Sequence, residues 1–173
     1  MHFNYCPKCG SKLIKKEAGD DGLIPFCTAC NEYYFDIFPS CVIVMTYNEF
    51  DEIALCRQGY MSDIYYNITS GFMEVGETAE EAAIREVKEE LGLEVEELTY
   101  AGTYWFSPKG LLMHGFIAFA KKANFKLSAE VDEARWVKPE DAPSIMFPES
   151  PSNAIYPIYR QFLNMRNISE GKE

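Results

Sequence analysis

Long apolar runs are missing from this sequence. No stretch reaches the roughly 18 consecutive apolar residues of a membrane-spanning helix, so none is expected. The first residues, MHFNYCPKCG, lack the basic-then-apolar order of a secretion signal. A cytoplasmic protein is therefore expected. Positive charge is scarce as well, with 16 Lys and Arg against 27 Asp and Glu and a net charge of -11. Such an excess repels a polyanion, which argues against a broad nucleic-acid groove. It leaves room for a small anionic substrate, because a bound divalent cation reverses the local field. No internal repeat is present. The 173 residues suffice for one full-sized domain and a small appendage.

Cysteine is plentiful. Cys6-Pro7-Lys8-Cys9 and Cys27-Thr28-Ala29-Cys30 form two Cys-x-x-Cys pairs, separated by 17 residues. Each pair makes a knuckle that aims two sulfurs at one point. Two knuckles joined by a hairpin offer four thiolates in a tetrahedron, which suits zinc. The alternative is a pair of redox or disulfide dithiols. Gly10 after the first knuckle permits a turn that larger residues resist. Gly19-Asp20-Asp21-Gly22 reads as the hairpin tip. So short a segment has too little core to fold without help from the metal. Four thiolate ligands leave no open position, so the ion would be structural. Cys41 and Cys56 sit in apolar runs and read as buried thiols.

The character changes from Cys41. Residues 41–47 read as a buried strand, 48–51 as a turn and 52–57 as a second strand. A third strand is expected at 65–69, followed by a loop at Ser70-Gly71. A helix is expected at 78–91, with Thr78 and Glu81 as a capping box and Gly92 as its stop. Strands follow at 112–120 and 133–137. A last helix is expected at 152–166, capped by Ser152, with Ile155, Ile158, Tyr159, Phe162 and Leu163 on one face. The tail Ser169–Glu173 is polar and reads as frayed. The order implies a mixed sheet packed between helices.

On the 78–91 helix, Ala83, Ile84, Val87 and Leu91 share one arc and form a core face. Glu86, Glu89 and Glu90 share another. Three carboxylates this close repel one another unless a cation compensates. Hard divalent ions such as Mg²⁺ or Mn²⁺ choose such ligands and complete their shells with water and substrate phosphates. A solvated glutamate face is the competing reading of the helix alone.

The longer segment carries more. Gly71, Glu77, Arg85-Glu86-Val87-Lys88-Glu89-Glu90 and Gly92-Leu93 match the Nudix box, G-x5-E-x7-R-E-U-x-E-E-x-G-U with U aliphatic, at every position. A chance match at a given start is on the order of 10⁻¹⁰ from average composition. The chain thus resembles the Nudix hydrolases. The resemblance implies an α/β/α sandwich with a mixed sheet, here preceded by a small four-cysteine zinc ribbon. The domains would be 1–37 (ribbon) and 38–173 (Nudix). It also implies hydrolysis of a nucleoside diphosphate linked to another moiety. Glu86 and Glu90 would grip cations, with Glu89 as a further ligand or the base. Ser70 would add its carbonyl to the metal shell. Gly71 would turn tightly and approach a ligand, Arg85 would pair with Glu77, and Gly92 would end the helix.

A ribbon directly ahead of such a box is similar to the NAD(H) pyrophosphatase branch, some of whose members decap NAD-capped RNA. The junction Tyr33-Tyr34-Phe35 to Val44, the box start Gly71-Phe72 and the stretch Glu130 to Trp136 all resemble that branch. The resemblance makes Glu130 a further metal ligand, with Asp132 and Glu133 as alternatives. It places Phe72 where a flat base could stack, and Ala154 at a substrate-side helix start. Phe35, Trp105 and Phe106 could flank the same pocket, though each also suits a core. The branch carries S-Q-P-W-P-F-P-x-S after its box; here residues 103–111 keep aromatics and one proline without reproducing the motif. The branch's further N-terminal domain is not expected, because the ribbon starts almost at residue 1. NAD(H), cleaved to AMP and nicotinamide mononucleotide, therefore competes as substrate with ADP-ribose, FAD or another conjugate. A nucleotide-sensing module is the non-enzymatic alternative. A homodimer is implied by the resemblance alone.

Overall fold

The computed structural model describes residues 3–167, so the tail at 169–173 lies outside the described residues. The chain divides into two compact units, Met1–Phe38 and Pro39–Glu173.

The first unit is a small antiparallel sheet of β1 (Ile14–Glu17), β2 (Leu23–Cys27) and β3 (Glu32–Tyr33). A short 3₁₀ turn at Gly19–Asp21 closes the first hairpin, where the glycine-aspartate tip was expected. Gly10, Gly19 and Gly22 all adopt positive φ, the conformation for which glycine has no steric cost. Its buried side chains are few, chiefly Cys6, Phe26 and Cys27.

The second unit contains β4 (Ser40–Tyr47), β5 (Ile53–Arg57), β6 (Thr69–Phe72), α1 (Ala79–Leu91), β7 (Glu97–Phe106), β8 (Leu111–Phe119), β9 (Glu133–Val137) and α2 (Ile155–Arg166). The sheet order is β7-β8-β4-β5-β9, with β6 paired to β4. β4 and β8 run parallel and the other pairings are antiparallel, so the sheet is mixed. Alternation along β4 divides the core. Val42 and Val44 pack with Ala82, Ala83, Val87 and Leu91 of α1. Ile43, Met45 and Tyr47 pack with Ile155, Ile158, Phe162 and Leu163 of α2. A helix thus covers each face, the α/β/α sandwich.

The helix ends follow their capping residues. Thr78 and Glu81 form a full capping box, and Gly92 closes α1 in the left-handed conformation. Four expectations need correction. β6 begins where a strand was expected to end, and it takes in Ser70 and Gly71, which read as a loop. β7 was not foreseen. It is an edge strand with Ala101 as its one buried residue and a bulge between Tyr100 and Gly102, so its ladder to β8 rather than an apolar pattern defines it. Ile84 is 41% exposed, and Ala82 takes its place in the core. Ser152 does not cap α2; Asn153 Oδ1 instead accepts the Ile155 backbone N–H.

Candidate functional site

In the N-terminal unit, Cys6, Cys9, Cys27 and Cys30 bring their sulfurs within 4.8 Å of one another. Cys6 Sγ lies 3.9 Å from Cys30 Sγ, and Cys9 Sγ 3.5 Å from Cys27 Sγ. Four sulfurs about 2.3 Å from a central zinc stand about 3.8 Å apart, so the spacing fits that ion. All six cysteines are free thiols. The Tyr34 hydroxyl sits 3.0 Å from Cys6 Sγ. Cys41 and Cys56 are buried, as expected, and burial pushes the Cys41 thiol up to about 11.

The second unit holds a cavity of about 970 Å³, large enough for a dinucleotide-sized ligand. Ser70, Gly71, Phe72, Glu86 and Glu130 contribute to its wall. β6 and α1 build this corner together. Gly71 carries no positive φ, so a tight turn is not its role. It serves close approach instead: a Cβ there would stand 2.0 Å from Glu86 Cδ and Oε1. The glutamate carboxylate lies against bare backbone.

The three box glutamates divide. Glu86 is 9% exposed and Glu90 4%, although the helical arc suggested a solvent-facing set. The buried face of α1 runs through Ala82, Glu86, Glu90, Ala83 and Val87, so two carboxylates belong to it. Glu89 points outward and lies 3.0 Å from Arg85 Nη1. Burial raises the Glu86 carboxyl above the usual range, with Arg85 opposing the shift. Burial, then the Glu86 charge, pushes Glu90 up to about 8, while a hydrogen bond from Gln58 opposes it. Glu130 adds its charge to both. Glu90 Oε2 is buried and has no hydrogen-bond partner of good geometry among the described residues, although the Ser70 backbone N–H lies near enough to the carboxyl to lower its pKa. Like charges gathered in a buried place, with an acceptor left open, are what a divalent oxygen-seeking cation satisfies. Carboxylate oxygens are the donor type that Mg²⁺ or Mn²⁺ takes, although among the described residues only the four cysteines already lie within 4.8 Å of one another.

Arg85 organises the loop before α1. Its guanidinium grips Glu77 at 2.7 and 3.1 Å, Glu86 at 2.8 Å and the Phe72 carbonyl at 3.0 Å. Glu77 in turn accepts the Glu74 backbone N–H. The pairing expected of Arg85 and Glu77 is present, and it extends to the strand that carries Gly71.

Across the cavity, Glu130 is exposed on the turn before β9. Asp132 accepts the Gly59 N–H at 2.5 Å, which ties that turn to the one after β5. Glu133 pairs with Arg57 and Arg135 and anchors β9. Of the three acids, Glu130 alone is left with its carboxylate uncommitted among the described residues.

Among the substrate-side candidates, Phe72, Phe106 and Ala154 line the cavity. Phe72 is 58% exposed, so it is no core residue. Trp105, next to Phe106 on β7, points to the opposite face and does not line it. Phe35 belongs to the N-terminal unit, where it is exposed. Three residues were missed. Gln58 donates to Glu90 Oε1 at 2.6 Å, Tyr60 lies within the field of Glu90, Glu130 and Glu86, and Lys109 is the one cation on the cavity wall among the described residues. None belongs to a spaced motif, so only the fold identifies them.

Comparison with known proteins agrees with this geometry. The family model described as NUDIX domain matches residues 38–161. The chain is 31% identical over 170 residues to the NAD-capped RNA hydrolase NudC of Vibrio vulnificus, covering 96% of this chain and 62% of that one. It is 33% identical over 143 residues to the chloroplastic Nudix hydrolase 19 of Arabidopsis thaliana, covering 79% and 33%. The chain thus spans less than two thirds of the curated relatives' length. Among solved structures, a NUDIX hydrolase from Nitrosomonas europaea superposes with a TM-score of 0.75 at 20% identity, covering 99% and 97%. The NUDIX domain of Shewanella oneidensis NrtR, solved with ADP ribose, gives 0.63 at 12% identity, covering 77% and 90%.

Proposed function

The chain belongs to the Nudix family, and on that premise we propose that it is a metal-dependent pyrophosphatase acting on a nucleoside diphosphate conjugate, NAD(H) first among them. One observation carries the reading: Glu86 and Glu130 line a cavity beside the buried, half-partnered Glu90. A purely sensory domain has no use for so costly a set of carboxylates.

Glu86, Glu90 and Glu130, with the Ser70 carbonyl, would hold Mg²⁺ or Mn²⁺, and Glu89 would serve as a further ligand or the base. Such ions would neutralise charge on the diphosphate and lower the pKa of the attacking water, so that a base such as Glu89 could take its proton. Arg85 fixes Glu86 and the Gly71 strand, so the ligands meet the ion already placed. Phe72 and Phe106 offer apolar rings to the flat base of the substrate, and Ala154 bounds the same space. NAD(H) would leave as AMP and nicotinamide mononucleotide. The name NAD-capped RNA hydrolase, carried by several relatives, favours this substrate class. The net charge of -11 favours the small dinucleotide over a long RNA.

The N-terminal cysteines would hold one structural zinc in a ribbon of residues 1–37, leaving 38–173 as the catalytic domain. No helix among the described residues is long and apolar enough to cross a membrane. We read the protein as cytoplasmic, where these thiols stay reduced, and as a homodimer. Purified protein should release monophosphate from a panel of NADH, NAD⁺, ADP-ribose and FAD only when Mg²⁺ or Mn²⁺ is present. Tight binding of one of these without turnover in either metal would replace the enzyme by a sensor.

A further inference from the structure

The turn after β5 contributes a buried group that the box does not contain. Gln58 is 4% exposed, and its amide N–H donates to Glu90 Oε1 at 2.6 Å. Toward an ionised Glu90, the form that a bound cation favours, the amide presents its donor, because its own carbonyl would meet only acceptor lone pairs on a carboxylate. With Oε1 held, Glu90 cannot rotate without breaking a short charge-assisted bond, and Oε2 is the atom left open.

The backbone behind Gln58 is held from three sides. Its carbonyl accepts the N–H groups of Met61 at 2.8 Å and Ser62 at 3.1 Å. The next residue, Gly59, donates to Asp132 at 2.5 Å, and a Cβ at Gly59 would stand 2.8 Å from the same carboxylate oxygen. Arg57, one residue earlier, pairs in register with Glu133. An amide on so fixed a turn arrives at Glu90 in one orientation. Hydrogen bonds to a ligand's far atom set its direction and basicity in metal sites generally.

We propose that Gln58 is a positioning residue that turns the Glu90 carboxylate so that Oε2 is offered to the divalent cation. The proposal rests on Glu90 being a metal ligand. It makes Gln58 act on metal affinity, with little direct effect on the chemical step.

The test uses the full chain with Mn²⁺ alone, titrated into metal-stripped protein and followed by electron paramagnetic resonance. Gln58→Met keeps the length of the side chain and removes the donor; Gln58→His keeps a donor. Gln58→Met should weaken Mn²⁺ binding by about 10–100-fold, and Gln58→His should recover most of that loss. With the best substrate of the panel, the Mg²⁺ concentration for half-maximal rate should rise in Gln58→Met by a similar factor. Its kcat at saturating Mg²⁺ should stay within about threefold of wild type. Mn²⁺ binding by Gln58→Met within twofold of wild type would overturn the proposal and leave the metal site standing. Wild-type protein that binds no Mn²⁺ would overturn the site itself. If both variants melt before they can be titrated, or lose kcat with unchanged Mn²⁺ affinity, Gln58 is structural and the proposal is wrong.

Discussion

Gly71 and Glu86 occupy complementary space: the strand residue omits the side-chain atom that the helix residue's carboxylate would otherwise strike, at 2.0 Å. A strand and a helix are thereby brought together at the point where a carboxylate must face a cavity. Glu86 could not lie there if any other residue stood at 71.

Gly71→Ala should therefore damage the site far more than the fold. The backbone at Gly71 is ordinary for a strand, and the obstructing group is the far end of a flexible side chain, which can swing away. A displacement of about 1 Å at a reacting centre costs on the order of 10²-fold in rate. Turnover should fall by at least that factor, while the melting temperature should drop by only a few degrees. Activity within threefold of wild type would mean that the position of Glu86 does not matter.

Glu90→Gln separates activity from stability. The carboxylate is buried, and burial together with the Glu86 charge holds its pKa at about 8 in the metal-free protein. At pH 7 the folded metal-free protein must therefore hold this carboxyl protonated while the unfolded chain leaves it ionised; the amide removes that cost, and its oxygen can still accept from Gln58. We expect kcat to fall by roughly 10²–10⁴ and the metal-free melting temperature to hold or rise. Glu86→Gln should lose activity on the same scale, but it also gives up the ion pair with Arg85 and should gain no stability. Thermal melts in chelator alongside turnover in Mg²⁺ check both variants; a large metal-free destabilisation by Glu90→Gln contradicts the assignment.

Cys27→Ser tests the other metal. Sulfur spacings of 3.5 and 3.9 Å leave room for one zinc, and the unit buries few side chains of its own. Elemental analysis should find about one zinc per wild-type chain and much less in the variant. Residues 14–33 should become accessible to protease, while turnover per surviving molecule stays near wild type. Absence of zinc from protein purified without chelator would sink the ribbon assignment.

Spacing made the ribbon and the box legible in the sequence, because ligands at fixed offsets and a helix with both caps leave a pattern that the chain alone contains. Contact across the fold leaves none. Glu86 and Glu90 looked solvent-facing on a helical wheel, since the wheel cannot know that Gly71 and Gln58 arrive to cover them. Ser70-Gly71 read as a turn because glycine usually marks one, whereas here it marks close packing inside a strand. β7 escaped for the opposite reason. Its side chains alternate poorly between buried and exposed, and pairing with β8 holds it in place. Trp105 and Phe106 were indistinguishable in sequence, and the pleat of β7 sends them to opposite faces.

Glu130 is separated from Glu90 by 39 intervening residues, yet its charge reaches both Glu86 and Glu90. Its neighbours are committed elsewhere. Asp132 holds the Gly59 N–H, and Glu133 holds Arg57 and Arg135. An exposed carboxylate on a turn beside the cavity can close toward a bound substrate and add a ligand only then. Glu130→Gln should accordingly lower kcat by about 10²-fold and raise the Mg²⁺ or Mn²⁺ concentration needed for half-maximal rate. Its melting temperature should match wild type, because the side chain contributes no packing. Glu133→Gln should do the reverse, losing stability through Arg57 and Arg135 while its metal requirement stays unchanged. Steady-state rates across a metal titration, with melts of the same preparations, distinguish the two. If Glu130→Gln matches wild type in rate and metal requirement alike, the cation is held by α1 and β6 alone.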